Sequence, residues 1–287
     1  MNPGSPASQA SVLIQSSDSE PRHMPLASKS DLMTRLRAHT TGNRYEGEII
    51  STLFWMKNKG LSENTIETAS HKLNQIARYA DLMNPEEVKT FVANLRLTNA
   101  TKQKMVNNYK YFCKTYDIQW IPPYYKWERK TPLIPTTENI YKIISASSEK
   151  YATIFTILEE TGLEGKELET IQRKDIDSEQ AIINAQGCKG HNSRSFRLKP
   201  QTADLLRTYL HKYTGEKPFP KSKRMGEMWS RFRDRLARKL NQPQLRAIPL
   251  RNLRHHYATK MYDKTKDNLL VKQLLGHKKI NTTMFYT

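Results

Sequence analysis

Residues 120–140, WIPPYYKWERKTPLIPTTENI, divide the chain into two parts. Four prolines lie between Pro122 and Pro135. Each proline lacks a backbone N–H and disfavours helix in the residue before it, so this stretch is expected to be extended. The sequence on both sides has a helical pattern. We therefore predict a linker over residues 121–135 between two separately folded domains.

The part before the linker has the apolar period of a helical bundle. In LSENTIETASHKLNQIARYA, residues 61–80, apolar side chains recur every three or four positions. Asn84 followed by Pro85 is typical of a helix start. In MVNNYKYFCKTY, residues 105–116, aromatic side chains share one face, and Lys110 and the preceding Lys104 lie on another. We predict an all-α domain over residues 43–120, after an arm over residues 1–42 that is rich in serine and proline and disordered, with helix expected only late, around LMTRLRAH, residues 32–39.

The part after the linker, residues 136–287, mixes helices with one strand pair. AIINAQ and RSFRLK flank the turn GCKGHNS, a pattern that indicates an antiparallel hairpin. The rest is helical in pattern, including a stripe of Trp229, Phe232, Leu236 and Leu240. The predicted fold class is mainly α, with an all-α N-terminal domain and a C-terminal α+β domain that holds a small antiparallel sheet.

Charge is concentrated in the second part. The chain has a net charge of +19, and residues 129–287 carry 31 basic against 16 acidic side chains. Such a field attracts a polyanion, most often a nucleic acid. A protein of the membrane surface or a merely basic enzyme would also fit the charge, but no apolar run is long enough to span a membrane. The two cysteines suggest neither a disulfide framework nor a metal site, so we expect no metal and no cofactor.

Four separated motifs carry possible chemistry. RNLRHHYAT places Arg251 and Arg254 three residues apart, with His255 beside them. LGHKKINTTMFY places Tyr286 nine residues after His277. GCKGHNSR presents Lys189 at a hairpin tip, and TGLEGKEL, residues 161–168, forms a turn ahead of Asp-Ile-Asp. In this order and spacing the chain, over residues 43–287, resembles the tyrosine recombinase (phage integrase) family.

The resemblance implies a fold, an activity and a set of functional residues. The N-terminal domain is then a core-binding bundle of the SAM-like type, and residues 136–287 form the catalytic domain. The implied activity is site-specific cleavage and rejoining of double-stranded DNA, with self-association into a synaptic tetramer on DNA. A cytoplasmic, nucleoid-associated protein of a prokaryote or virus is expected. The implied catalytic residues are Tyr286, Arg254, Lys189, His277 and Arg251, and the implied DNA-binding residues are Lys104, Lys110, Arg194, Arg231 and Arg235.

The chemistry explains why these residue types are needed. A tyrosine hydroxyl has a pKa of about 10, so near pH 7 only ~0.1 % is phenolate, a cost of roughly 4 kcal/mol. Attack on phosphorus also builds negative charge on the phosphate oxygens, which guanidinium groups can grip in pairs. A lysine at a hairpin tip could protonate the departing 5′ oxygen. The family's 3′-phosphotyrosine intermediate conserves the energy of the cleaved phosphodiester bond, so the strands can be rejoined.

Each assignment has a plainer alternative. Tyr286 could be an ordinary terminal aromatic, Arg254 a structural arginine, and His277 a cap for helix carbonyls. Lys189 could be a solvated turn lysine. His255 is better interpreted as a packed supporting residue than as a catalyst. The arginines opposite the Trp229 stripe, and the lysines at 104 and 110, could face water or phosphates.

Two positions depart from the family pattern. Glu164 stands where the family usually has an arginine, and Arg251 stands where it usually has histidine. Two unit charges about 4 Å apart at an effective dielectric near 20 interact by ~4 kcal/mol. Replacing the usual arginine by Glu164 therefore strongly weakens stabilisation of the negative transition state. Either Glu164 turns away and Lys166 or another cation substitutes, or the protein binds DNA and cleaves it poorly. Glu167, the expected buried acid of the turn, is present. An RNA-binding helical protein is a third hypothesis.

Overall fold

The computed structural model describes Leu36, Thr40 and residues 42–128, 133–187 and 192–277. Described residues up to 128 belong to one compact unit, and those from 133 onward belong to a second. The boundary falls inside the predicted linker. Residues 118–128 and 133–136 contain neither helix nor strand. Each unit is described below by itself.

The N-terminal unit is a bundle of α-helices, and side chains cap the starts of three of them. Its labelled helices are α1 (Glu46–Asn58), α2 (Glu63–Ala77), α3 (Pro85–Asn94) and α4 (Asn99–Thr115). The Ser62 hydroxyl accepts from Thr65 N at the start of α2, and the Asn84 side chain accepts from two amides at the start of α3. Such caps satisfy amides that have no partner inside the helix and stabilise it by ~1 kcal/mol each.

The apolar stripe predicted for residues 61–80 forms the centre of this bundle. Ile66, Leu73, Ile76 and Ala80 are all buried. The same core includes Leu36, which is only 2 % exposed, and Thr40 donates to the Leu36 carbonyl. Leu36 and Thr40 are helical. Leu36 falls within LMTRLRAH, the part of the arm where helix was expected.

The C-terminal unit contains helices on a three-stranded sheet, as the fold class predicted. Two short 3₁₀ turns, Arg173–Asp175 and Pro243–Ala247, join longer elements. The elements are α5 (Thr137–Ser145), α6 (Glu149–Thr161), α7 (Gly165–Thr170), β1 (Ile176–Asp177), β2 (Ile182–Ala185), β3 (Arg194–Arg197), α8 (Pro200–Lys212), α9 (Ser222–Lys239), α10 (Asn252–Thr265) and α11 (Asn268–Leu275).

The sheet is antiparallel, in the order β1-β2-β3. Ile183 of β2 lies opposite Phe196 of β3, and both side chains point into the core. The predicted strand pair is confirmed. The tip of the hairpin, residues 188–191, lies outside the described residues.

Trp229 is at the centre of the second core. Its indole N–H donates to the Ile248 carbonyl at 2.7 Å, and its ring meets Phe155 edge-on, with ring centroids 5.0 Å apart. Such a ring pair adds ~0.5–1.5 kcal/mol beyond the burial itself. Phe232 and Leu236 are buried on the same stripe, but Leu240 is exposed. Leu240 is the C-cap residue, one position beyond the end of α9 at Lys239.

The packing of α6 against α10, and of α10 against α11, sets the position of the motifs. α6 ends at Gly162, whose φ of +65° is left-handed. A β-carbon there would lie 2.3 Å from the Tyr257 ring of α10. Tyr257, Val271 and Leu275 form a small core between α10 and α11. Among the described residues no helix is both long and apolar enough to cross a membrane.

Candidate active site

The turn between α6 and α7 delivers a buried carboxylate. Glu164 precedes α7, and its backbone N–H donates to Oε2 of Glu167 at 2.8 Å. This bond turns the Glu167 side chain back into the protein, where it is 0 % exposed. An isolated buried carboxylate is strongly unfavourable, so cationic partners are required. The predicted buried acid of the turn is therefore confirmed in position.

Arg254 of α10 is the first of those partners. Its side chain is 4 % exposed, and its Nη1 donates to the Gly162 carbonyl at 2.8 Å and to Glu167 Oε2 at 3.2 Å. Its Nη2 donates to the Leu275 carbonyl at 2.7 Å and contacts Nε2 of His277 at 3.1 Å. Arg254 thus gathers α6, α7 and the end of α11 around one guanidinium group.

Arg194, at the start of β3, is the second partner of Glu167. Its Nη2 lies 2.7 Å from Glu167 Oε1, and its Nη1 donates to the Leu275 carbonyl at 2.5 Å. The side chain is 5 % exposed. This position does not suit the surface contact with DNA that was predicted for Arg194. Its charge is used inside the protein instead, because the fully buried Glu167 carboxylate requires cationic partners.

Glu164 remains close to the cationic centre. Its Oε1 lies 4.0 Å from Nε of Arg254. The ammonium group of Lys166 pairs with Glu169 at 2.7 Å, on the next turn of α7. Of the alternatives left open by the sequence, a turned-away Glu164 with Lys166 in its place is therefore wrong. Arg194 is the additional cation found beside Arg254.

The geometry assigns a proton position at His277. A guanidinium group only donates hydrogen bonds, so Nε2 of His277 accepts from Arg254 and carries no proton in this arrangement. The residue follows Gly276, which ends α11 with a left-handed φ of +69°. His277 is buried beside Arg254.

The other side chains of α10 have different surroundings. Burial, followed by the charges of Arg251 and Arg254, lowers the pKa of His255 to about 4. Burial raises the pKa of Tyr257 to about 12. His255 is therefore neutral at pH 7, in agreement with a supporting part. Arg251, at the residue before α10, is exposed.

Two predicted catalytic residues, Lys189 and Tyr286, lie outside the described residues. Described residues that neighbour these two positions in the sequence contact each other. The amide of Asn192, just after the hairpin tip, donates to the Gly276 carbonyl at 3.1 Å. Gly276 and His277 lead into the segment that carries Tyr286. Both segments therefore start from the neighbourhood of Arg254.

The remaining predicted DNA-binding residues lie at surfaces. Arg231 and Arg235 are exposed on α9, on the side away from Trp229, and the Arg235 guanidinium lies over the Phe232 ring. Lys104 is exposed on α4, and Lys110 is half-buried there. No bound polyanion tests these four assignments, which remain predictions.

Sequence reasoning missed the shared pairing of Glu167 with two arginines. The available signal was the buried acid itself, because a carboxylate without water needs more than one donor. Which arginine would supply the second donor depends on how β3 packs against α11. That packing joins residues 81 positions apart and leaves no local pattern.

Comparison with known proteins places the site in context. A family model described as the phage integrase family matches residues 135–287. The tyrosine recombinase XerA of Thermococcus kodakarensis is 23 % identical over 251 residues, covering 80 % of this chain and 86 % of the relative. The XerA of Saccharolobus solfataricus is 32 % identical over 180 residues, covering 61 % of this chain and 59 % of the relative.

Solved structures of DNA complexes have the same fold. The lambda integrase bound to DNA superposes with a TM-score of 0.63 at 13 % identity, covering 81 % of this chain and 91 % of that one. The Tn1549 transposon integrase in complex with transposon right end DNA gives a TM-score of 0.62 at 16 % identity, covering 84 % and 94 %. At these identities the likeness establishes the fold.

Proposed function

Since the chain belongs to the phage integrase family, we propose that it is a site-specific recombinase that cleaves and rejoins double-stranded DNA through Tyr286. The observation that carries the proposal is the arrangement of Arg254, His277 and Glu167. A guanidinium and an imidazole lie 3.1 Å apart at the start of the segment that bears the tyrosine. Guanidinium and imidazole groups are suited to bind the oxygens of a phosphodiester.

In the proposed reaction the Tyr286 hydroxyl releases its proton to solvent, and its oxygen attacks the phosphorus of one strand. A bond forms between this oxygen and phosphorus, and the bond from phosphorus to the 5′ oxygen breaks. Lys189 gives its proton to that 5′ oxygen, which leaves as a hydroxyl group. The 5′ hydroxyl of another strand then reverses the step and releases the tyrosine.

Arg254 must exchange partners to take part. Its two terminal nitrogens already contact four protein acceptors, among them the Gly162 carbonyl and the Glu167 carboxylate. A phosphate oxygen therefore replaces at least one of these acceptors when DNA binds. His277 is the acceptor best suited for exchange, because its imidazole can itself turn to donate to the phosphate.

Glu164 opposes this step. Its carboxylate, 4.0 Å from Arg254, offsets part of the positive charge that the transition state requires. The substitution Glu164→Arg is expected to raise the cleavage rate, because an arginine that stabilises phosphoryl transfer can be worth ~10³–10⁵ in rate. An unchanged rate in Glu164→Arg would contradict the proposed placement of the turn.

Binding and assembly follow from the surface charge. Arg231 and Arg235 on α9 and Lys104 and Lys110 on α4 are proposed to contact the DNA backbone. Recombination needs two duplexes in one complex, so a tetramer on DNA is also part of the proposal. Light scattering of the protein with DNA that carries two target sites should report four copies per complex.

The experiment that tests the function uses a nicked suicide duplex. Its sequence comes from selecting bound duplexes out of a random pool, because the target is not known. Wild type should form a covalent adduct, and Tyr286→Phe should not, since phenylalanine lacks the attacking oxygen. The controls are Tyr257→Phe and Tyr262→Phe, the two tyrosines of α10, which should keep the adduct.

Mass analysis of the DNA-linked peptide identifies the nucleophile. An adduct that persists in Tyr286→Phe, or a linked peptide other than the one containing Tyr286, would overturn the proposed reaction. DNA binding without an adduct in wild type, together with an adduct in Glu164→Arg, would identify a DNA-binding protein with impaired cleavage.

A further inference from the structure

Two guanidinium groups share the same two acceptors at the centre of the site. Arg194 and Arg254 bind opposite oxygens of Glu167, at 2.7 Å and 3.2 Å. Both also donate to the Leu275 carbonyl, at 2.5 Å and 2.7 Å. Only Arg254 also contacts His277. The two arginines are thus similar in their contacts but differ in their access to the proposed phosphate position.

We propose that Arg194 is a positioning residue that neutralises Glu167 and so leaves Arg254 available to the reacting phosphate. The inference rests on the proposed function, since it concerns the same site. Arg194 does not touch DNA in this role. It acts through Glu167 and through the Leu275 carbonyl, from inside the protein.

The charges explain why such a residue is needed in this chain. Glu164 and Glu167 both lie within 4.0 Å of Arg254. With Arg194 present, two arginines face two carboxylates. Without it, Arg254 would be the one arginine of this pair left to face both carboxylates, and Glu167, which also accepts from the Glu164 amide, is fully buried. A buried carboxylate that loses one cationic partner binds the other more strongly, so a phosphate would compete less well for Arg254.

The backbone around Arg194 is shaped for this contact. A β-carbon on Gly276 would lie 1.7 Å from Nη1 of Arg194, so only glycine leaves room for the guanidinium group. Asn192, two residues before Arg194, donates to the Gly276 carbonyl. β3 is therefore joined to the end of α11 by two contacts, one of the backbone and one of Arg194. These contacts connect the Lys189 hairpin to the segment leading to Tyr286.

Exposure separates this role from a direct phosphate contact. The Arg194 side chain is 5 % exposed, and both of its terminal nitrogens are used. Its Nε is buried and has no hydrogen-bond partner among the described residues. Because Nε of Arg194 has no partner there, the contacts of Nη1 and Nη2 determine where the side chain lies.

The test compares single-turnover adduct formation with DNA affinity in four variants. Arg194→Met removes the charge with little change in length, and Arg194→Lys keeps the charge. Glu167→Gln removes the carboxylate, and the fourth variant combines Arg194→Met with Glu167→Gln. Arg197→Met is the matched control, because Arg197 lies on the same strand and is exposed. Rates are measured with the selected suicide duplex, in the Glu164→Arg background if wild type is too slow.

Arg194→Met is expected to lower the rate of adduct formation ~10²–10³-fold, which is the size of effect seen when other enzymes lose one hydrogen-bond donor to the transition state. The DNA affinity of Arg194→Met should equal that of Arg197→Met. Arg194→Lys should retain at least ~10-fold more activity than Arg194→Met. The double variant should recover at least ~10-fold over Arg194→Met, because no carboxylate remains to hold Arg254.

A purely structural Arg194 gives a different result. The double variant is then no faster than Arg194→Met, since two buried partners are missing, and this outcome overturns the inference. Equal rates for Arg194→Met and Arg197→Met overturn it as well. If neither wild type nor Glu164→Arg forms an adduct through Tyr286, the proposed function fails first. If the adduct forms at a rate independent of Arg194, only the present inference fails.

Discussion

At the scale of single residues, the site is a balance of buried charges. Glu167 is held by Arg194 and Arg254, and Glu164 lies at the edge of the same cluster. Such a cluster is stable without DNA because its acceptors are satisfied. Under the proposed function, a dianionic transition state is a better partner for Arg254 than the His277 imidazole is.

Arg254→Ala should damage chemistry far more than binding. One phosphate contact is a small part of the affinity for a whole duplex, whereas transition-state charge is concentrated on the reacting phosphate. We expect the adduct rate to fall by ~10²–10³-fold or more. The affinity, measured by fluorescence anisotropy, should stay close to that of Lys264→Ala, an exposed residue of the same helix. Comparable losses in rate and affinity would make Arg254 only a binding residue.

His255 should make the protein sensitive to mild acid. Burial holds its folded-state pKa at about 4, below the ordinary value of 6.5. Between these values the unfolded chain binds a proton that the folded protein does not, so stability falls as pH drops from about 6.5 towards 4. In His255→Gln the decrease in Tm between pH 7.5 and pH 5 should be smaller. Equal decreases in both proteins would show that His255 titrates normally.

At the scale of secondary-structure elements, the ends of helices build the site. α6 ends at Gly162, whose carbonyl accepts from Arg254, and α11 ends at Gly276, next to His277. The start of α8 is capped from a distance. The Glu160 carboxylate accepts from Lys199 N and the Thr202 hydroxyl, at 2.5 Å each. Helix ends leave carbonyls and amides without partners, and this fold uses them as ligands for functional side chains.

Gly162→Ala should destabilise the catalytic unit. A left-handed backbone costs a non-glycine residue ~1–2 kcal/mol, and the new methyl group would lie 2.3 Å from the Tyr257 ring. With overpacking of ~1–3 kcal/mol, the free energy of unfolding should fall by roughly 2–5 kcal/mol. Gly226→Ala is the control, because it lies in α9 with nothing within 4 Å of the added carbon. That change should be neutral or stabilising, as urea titrations of both variants would show.

At the scale of the whole molecule, the distribution of charge is the property most relevant to the proposed binding of DNA. The net charge of +19 comes mainly from the catalytic part, and α9 carries exposed arginines along one side. Many of the basic side chains elsewhere are paired, for example Lys212 with Glu149 and Arg207 with Asp204. The exposed arginines on α9 are therefore the better candidates for contact with the DNA backbone.

Binding to duplex DNA should weaken steeply with salt, because each neutralised phosphate releases counterions. Arg231→Ala combined with Arg235→Ala should reduce the slope of log affinity against log salt by about 2, since two contacts are lost. Arg207→Ala, which removes an arginine already paired with Asp204, should leave the slope unchanged. An affinity that stays flat between low and moderate salt would contradict a DNA-binding function of these arginines.

Much of this protein follows from local sequence. The period of apolar residues predicted the helices, and the prolines marked the boundary between units. The order and spacing of Arg254, His277 and Tyr286 indicated the family. These features were predictable because helix period, proline geometry and motif spacing depend on neighbouring residues alone.

Only the tertiary structure decided the electrostatics of the site. The sequence contains Glu164, Glu167, Arg194 and Arg254, but their pairing depends on three separate segments meeting at the end of α11. Arg194 was predicted to bind DNA and is instead buried on Glu167. Because the energy of a charge depends on its burial and on the groups within a few ångströms, it cannot be calculated until the fold has brought those groups together.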